Sequence, residues 1–417
     1  MTISTATTTP TPTPTRLSRM QRWFPGTARP LIVSAPMAGI TNPTLASEVV
    51  RAGGLGFIQG GRTFKPGCSA LTQLEEQLTL ARSLLPLQPP AEDKDKDKGN
   101  VPSSASDKQK QKRQDLPVGV GFVLFSECAG PHFGETTAPI LARHRPVAVW
   151  LFAPDEERSP GTLRRVVEGL RAAAAATAES TAESTGDGAA GSDGSGGSGG
   201  SAGDDGSAWN PRVVVQVGTV AAAREAAGLG VDVIVAQGAE AGGHQFVRAA
   251  GVFSLVPEVR DMVRNEFPDK EIAVWAAGGI ADGRGVAAAL ALGAEAAVMG
   301  TRYMVAPESD AEEYKREALL SASDGATSTV KSYVHDHVQG NFTWPTLYDA
   351  RAIVHPSYHD SQAGMTIEEN VSRYKAAKEK GDVSMMVTWS TAPPAADITR
   401  QVRDEAVELI HELHAAL

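Results

Sequence analysis

His244 closes the segment Ala236-Gln237-Gly238-Ala239-Glu240-Ala241-Gly242-Gly243-His244, which is otherwise built almost wholly of small residues. An imidazole titrates near neutrality, so it can lift a proton from carbon or pair with an anion formed there. A lone histidine is as readily a structural donor. The flanking glycines point to chemistry, because they let a ligand come close to the backbone. Gln237 offers an amide donor and acceptor to a heterocycle, or else closes a polar rim. Glu240 reads as a solvated loop carboxylate, with a second acid as the alternative.

Two further segments favour an anion. Ala277-Gly278-Gly279-Ile280-Ala281-Asp282-Gly283-Arg284 and Met299-Gly300-Thr301-Arg302 each follow an apolar run. Glycines let the main chain approach an oxyanion, and N–H groups at the start of a following helix favour negative charge. Paired in two successive units, they read as phosphate-binding turns rather than plain turns. Earlier, Ala35-Pro36-Met37-Ala38-Gly39 leaves room for a flat ring over backbone amides, and Asn42 is placed to cap the next helix.

Something must bring these loops together. Eight apolar runs qualify as strands: Leu31–Ala35, Leu55–Ile58, Val118–Leu124, Val147–Phe152, Val213–Val217, Val231–Ala236, Ile272–Ala276 and Ala296–Met299. Helical stretches follow them at Pro43–Ala52, Ala70–Leu85, Thr137–Arg143, Thr162–Ala176, Val220–Gly228, Phe253–Glu266, Gly283–Leu292 and Asp310–Leu320. Continuous rather than alternating apolar runs mean strands covered on both faces. Eight alternating units favour an α/β fold of the closed (β/α)8 TIM-barrel type over an open sheet. Such a barrel carries its site at the carboxyl ends of the strands, and phosphates commonly sit after the seventh and eighth.

The barrel is expected over 30–320. Residues 1–29 lack acidic side chains until the first strand and carry prolines at 10, 12 and 14; they read as a disordered tail, with a mitochondrial presequence as the weaker alternative. Two low-complexity surface insertions, 91–115 (charged) and 179–207 (Gly/Ser/Asp-rich), interrupt the barrel. Residues 321–417 should form a cap segment and a final amphipathic helix, with aromatic and histidine side chains over Tyr333–His359 forming a lid. Those histidines lack the spacing of a closed metal site, so no metal is expected.

The chain has 417 residues and a formal charge of −10, which argues against a nucleic-acid partner. No apolar run approaches the ~18–20 residues that span a bilayer, so no membrane partner is expected. Two cysteines cannot build a disulfide framework, and a cytoplasmic protein is expected.

Together, Ser34-Ala35-Pro36-Met37-Ala38-Gly39, Ala52-Gly53-Gly54-Leu55-Gly56, Gln237 to His244, Ala276-Ala277-Gly278-Gly279-Ile280-Ala281-Asp282-Gly283 and Val298-Met299-Gly300-Thr301-Arg302 resemble the nitronate monooxygenase family, formerly 2-nitropropane dioxygenases. The resemblance spans roughly residues 30 to 310. It implies an FMN-containing barrel that oxidises nitronates with O2 to a carbonyl compound and nitrite, with neutral nitroalkanes as a further substrate class left open. It also implies His244 as base or anion partner. Ala35, Pro36, Met37, Ala38, Gln237, Gly242, Gly243, Ala277, Gly278, Gly279, Met299, Gly300 and Thr301 would then surround the flavin and its phosphate. Three positions depart from the family. Gly121 stands where members often carry a flavin-contacting Asn, Gln245-Phe246 replaces a Gly two residues after the histidine, and Trp389–Pro394 lacks a Gly-rich stretch. Two rival readings share the scaffold: an FMN-dependent enoyl-thioester reductase using NAD(P)H, and a flavin-binding protein without catalysis. The oligomeric state is not legible.

Overall fold

The computed structural model describes residues 16–85, 114–185, 208–387 and 395–416. All eight expected staves form: β1 (Leu31–Ser34), β2 (Phe57–Gly61), β3 (Leu116–Val123), β4 (Pro146–Phe152), β5 (Arg212–Val217), β6 (Val233–Gln237) and, after a short strand β7 (Gly243–Phe246) of another sheet, β8 (Ala273–Ala277) and β9 (Ala296–Met299). They pair in parallel in the order β1-β9-β8-β6-β5-β4-β3-β2. The ring closes where Val33 bridges Leu55, just ahead of β2; Ser34 N donates to Leu55 O at 3.1 Å and Leu55 N to Ile32 O at 2.9 Å. The fold is therefore the expected (β/α)8 barrel.

Successive side chains on each stave point to opposite faces. Leu31, Val33, Trp150, Val214, Val235 and Trp275 fill the lumen, while Ile32, Val149, Val215, Ile234 and Val274 pack outward on helices. Both sets are buried, which is why the runs read as continuous.

Most helices fall where expected, with three extensions. The helix after β3 starts at Ala129 rather than Thr137. Its glycines are used for close packing: a Cβ at Gly169, in the helix Thr162–Thr185, would lie 3.0 Å from the Gly134 Cα. That second helix runs past residue 179, where an insertion was expected to begin. Of the expected insertions, residues 91–113 and 186–207 lie outside the described residues, as do 86–90 and 388–394 with the Trp389–Pro394 stretch.

The third extension corrects the expected tail. Arg16–Trp23 is a helix, and Met20 and Phe24 are 2% exposed, stopping the barrel at its amino-terminal end. Phe24 packs on Trp275 with ring centroids 5.9 Å apart, and the Trp275 indole N–H points at the Met20 sulfur at 3.3 Å. Arg19 pairs with the buried Glu295 at 3.2 Å, and Arg260 approaches the same carboxylate at 3.3 Å. Residues around Pro10–Pro14 obscured this helix because it is short; the described apolar side chains that it and the next residue bury are Met20, Trp23 and Phe24.

Beyond the barrel, β10 (Thr329–Ser332) and β11 (Tyr348–Ile353) join β7 in an antiparallel sheet, order β10-β11-β7, that lies across the carboxyl mouth. The helix Ala395–Ala416 returns to the barrel side, burying Ile398, Val402 and Ala406. The same stripe continues to Ile410 and Leu413, which stay exposed.

If residues 16–24 are the floor of the barrel, Phe24→Ala should cost about 3–5 kcal/mol, as for other buried Phe truncations. Denaturant unfolding measures it; a change under 0.5 kcal/mol would mean this segment does not support the barrel.

Candidate active site

Four loops meet at the carboxyl mouth, and glycines set how closely. Gly278 sits at φ +111°, and a Cβ there would lie 2.9 Å from Gly238 O, so the turns after β8 and β6 touch backbone to backbone. A Cβ on Gly242 would lie 2.8 Å from Thr301 Oγ1, and one on Gly300 would lie 3.4 Å from Met37 Sδ and 3.6 Å from Ala35. Ala35 N donates to Met299 O at 2.9 Å, and Met37 N to Thr41 Oγ1 at 2.9 Å. The turns holding Ala35–Ala38, Gln237–Gly243, Ala277–Gly279 and Met299–Thr301 thus surround one space. Met299 takes part only through its backbone; its side chain is buried in the layer between staves and helices.

The expected anion site narrows. The first amides of helix Gly283–Ala291 are already engaged: Asp282 Oδ1 accepts from Arg284 N (3.0 Å) and Gly285 N (3.1 Å), and Glu405 Oε2 accepts from Gly283 N (3.0 Å). Carboxylates supply the negative charge that this helix start favours. What remains for a phosphate is the left-handed Gly278-Gly279 turn, Gly300 and Thr301. Asn42 caps its helix as expected, accepting from Leu45 N at 2.9 Å. Glu240 is exposed, as expected of a loop carboxylate, and both its oxygens accept from Val252 N at 3.0–3.1 Å.

Gln237, at the end of β6, is buried. Its Nε2 reaches His244 O only at 3.3 Å, and its Oε1 has no hydrogen-bond partner among the described residues. A buried amide oxygen left unpaired costs ~1–3 kcal/mol, so the site suits a ligand that donates to it. The N–H-bearing edge of a flavin does so, and the residues present fit that group.

His244 lies on β7, directly opposite Ala350 of β11. Gly243, at φ +75°, turns the chain into that strand. The imidazole stacks on Trp344 with ring centroids 3.7 Å apart and planes 11° from parallel, and its Nε2 lies 2.8 Å from Asp336 Oδ2. Trp344 in turn leans on Phe125 (4.5 Å), and Phe152 meets Tyr348 (5.4 Å), giving an aromatic wall. Trp344 belongs to the aromatic residues of the expected lid, whereas Asp336 was not singled out in the sequence. The aromatic, histidine-rich stretch that holds them was the signal, but nothing in its spacing ties it to residue 244.

The sheet is fastened to the barrel at two points: Arg351 Nε and Nη2 donate to Ala239 O (3.2 and 3.1 Å), and Tyr348 Oη to Pro154 O (3.1 Å). Within the sheet, Lys331 Nζ donates to Phe246 O and Val247 O at its β7 edge (2.7 and 2.9 Å). Beneath it His335 Nδ1 meets His355 Nε2 at 2.9 Å, both rings buried. His335 Nε2 faces Val330 O at 3.0 Å and must donate there, so His335 Nδ1 accepts from His355. Burial holds both pKa values down, that of His355 to about 4, with repulsion from His335 and His359 adding to it.

Two family departures have structural explanations. A Cβ at Gly121 would lie 2.3 Å from the Pro36 ring, so Pro36 fills the space an Asn would need. Phe246 is buried against Tyr348 (5.0 Å) and needs Gly218 opposite, where a Cβ would lie 2.7 Å from its own.

Solved structures with this architecture include FabK from Thermotoga maritima (TM-score 0.61, 21% identity, covering 96% of this chain and 99% of that one) and a nitroalkane oxidase from Streptomyces ansochromogenes (0.60, 22%, 95% and 99%). With the site above, the chain falls in the class of flavin-dependent barrel oxidoreductases. The family profile for nitronate monooxygenase matches residues 208–408. The nitronate monooxygenase of Neurospora crassa is 41% identical over 96% of this chain and 95% of its own length. Nitronate monooxygenase npaC of Metarhizium robertsii is 32% identical over 94% and 95%. The chain belongs to the nitronate monooxygenase family.

Two outcomes follow. Gly121→Asn should overpack the Pro36 contact, costing about 1–3 kcal/mol and lowering flavin content; unchanged values in unfolding and absorbance measurements would show that the site has room for the family's Asn. The folded state keeps His355 neutral down to about pH 4, whereas an unfolded chain takes up that proton near 6.5, so acidification through this window favours unfolding. Melting temperature should fall between pH 6.5 and 4, and His355→Gln should flatten the fall. Equal slopes in both proteins would remove His355 as the cause.

Proposed function

We propose that the protein binds FMN at the carboxyl mouth and oxidises alkyl nitronates, and nitroalkanes once deprotonated, with O2 to a carbonyl compound and nitrite. The observation that carries this reading is His244, held in one orientation beside an unpaired Gln237 amide oxygen and a glycine-lined anion cradle. FMN, when bound, supplies the electron-accepting ring that the protein lacks. Gly278, Gly279, Gly300 and Thr301 would hold its phosphate through backbone amides and the Thr301 hydroxyl, with Gly242, Gly243 and Ala277 allowing close approach. Ala35, Pro36, Met37 and Ala38 would underlie the ring, and Gln237 and the Met299 backbone would line its edge.

His244 takes the α-proton of a neutral nitroalkane, and the resulting imidazolium stays beside the anionic nitronate. Trp344, Phe125, Phe152 and Tyr348 exclude water from that pair, and residues 321–417 act as the cap that carries two of them. The apolar wall suits the carbon chain of an alkyl nitronate better than a charged carrier. Cys68 and Cys128 are both free thiols, which supports the cytoplasm as the compartment. Among the described residues no helix is long and apolar enough to cross a membrane.

The purified protein should be yellow, release FMN on denaturation, and form nitrite from propionate 3-nitronate under air. His244→Asn should retain flavin yet lose at least ~100-fold in kcat/KM on neutral nitroethane. Release of a different flavin would overturn the FMN assignment. NAD(P)H-dependent reduction of an enoyl thioester without nitrite would point to the reductase instead, and inactivity in both assays to a binding protein.

A further inference from the structure

We propose that Asp336 is a positioning residue for His244: it fixes the imidazole so that Nε2 carries a proton and Nδ1 is the atom that accepts one from carbon. This rests on the reading of His244 as the base. A carboxylate accepts and does not donate, so at 2.8 Å the Nε2–H donates to Asp336 Oδ2. The neutral imidazole then has its lone pair at Nδ1. When Nδ1 takes the α-proton, the C–H bond breaks, its electron pair moves onto the nitro group, and the positive charge created on the ring lies against Asp336. The carboxylate therefore stabilises the imidazolium as well as choosing the tautomer.

The carboxylate is itself placed. Asn341 Nδ2 donates to its other oxygen, Oδ1, at 3.1 Å, and Asn341 N donates to Asp336 O at 3.0 Å. Asp336 is 7% exposed, so water competes little for either oxygen. The ring cannot swing to another partner, because Trp344 covers one face at 3.7 Å and the β7–β11 pairing fixes the backbone that carries it. Base and partner thus come from β7 and from the segment that links β10 to β11, some ninety residues apart in the chain.

The test separates proton removal from everything after it. Wild type, Asp336→Asn, Asn341→Ala and His244→Asn are each assayed on neutral nitroethane and on its pre-formed nitronate, with bound flavin quantified by absorbance. Asp336→Asn should lower kcat/KM on nitroethane roughly 100-fold and on the nitronate less than fivefold, flavin content unchanged. Asn341→Ala should shift the ratio in the same direction by a smaller factor, and it carries the test should Asp336→Asn fail to fold. Equal losses on the two substrates, or no loss on either, would overturn the role of Asp336. A nitroethane loss in His244→Asn with none in either other variant would overturn it while leaving His244 as the base. A wild type active on the nitronate but inert to nitroethane removes the base and this inference together, and no nitrite from either substrate defeats the functional reading itself.

Discussion

The antiparallel pairing of β7 with β11 fixes the orientation of the His244 imidazole, and the base proposed for this site needs one fixed orientation to take a proton from carbon. That pairing places His244 opposite Ala350 and brings Trp344 and Asp336 against its ring from the connecting segment. Without it, the glycine-rich loop after β6 would carry its histidine on a main chain free to turn at Gly242 and Gly243. The barrel provides the place, but a second sheet provides the angle. The ties from Arg351 and Tyr348 to barrel carbonyls therefore bear on the orientation of His244 as much as on stability.

The barrel was legible in the sequence because each stave is buried on both faces and bounded by turn residues. Runs such as Val213–Val217 and Ile272–Ala276 leave little choice of structure, and the observed strand ends differ from expectation by at most three residues. The glycines of the mouth were legible for a related reason. Gly278 and Gly242 stand where a Cβ would press on a neighbouring loop, so their identity carries spatial information.

What stayed hidden depended on contacts between distant segments. Glu240 is exposed as its sequence suggests, but nothing near it in sequence reveals that the Val252 N–H turns back to meet it. The amides of helix Gly283–Ala291 looked free because Glu405, on the last helix, takes one of them. Asp336 is one acidic residue among 49 Asp and Glu, and only the closing of the second sheet brings it to His244. Gly121 read as a missing ligand, whereas it marks a space already filled by Pro36.

The floor of the barrel has an implication for how the chain matures. Met20 and Phe24 are made before any stave, yet Trp275 and Glu295, which receive that helix, emerge from the ribosome some two hundred and fifty residues later. Through most of translation the amino-terminal helix carries an apolar stripe with nowhere to dock. Its seating is a closing step of folding, set by topology, and a nascent chain halted before β8 leaves it open to chaperones or proteases.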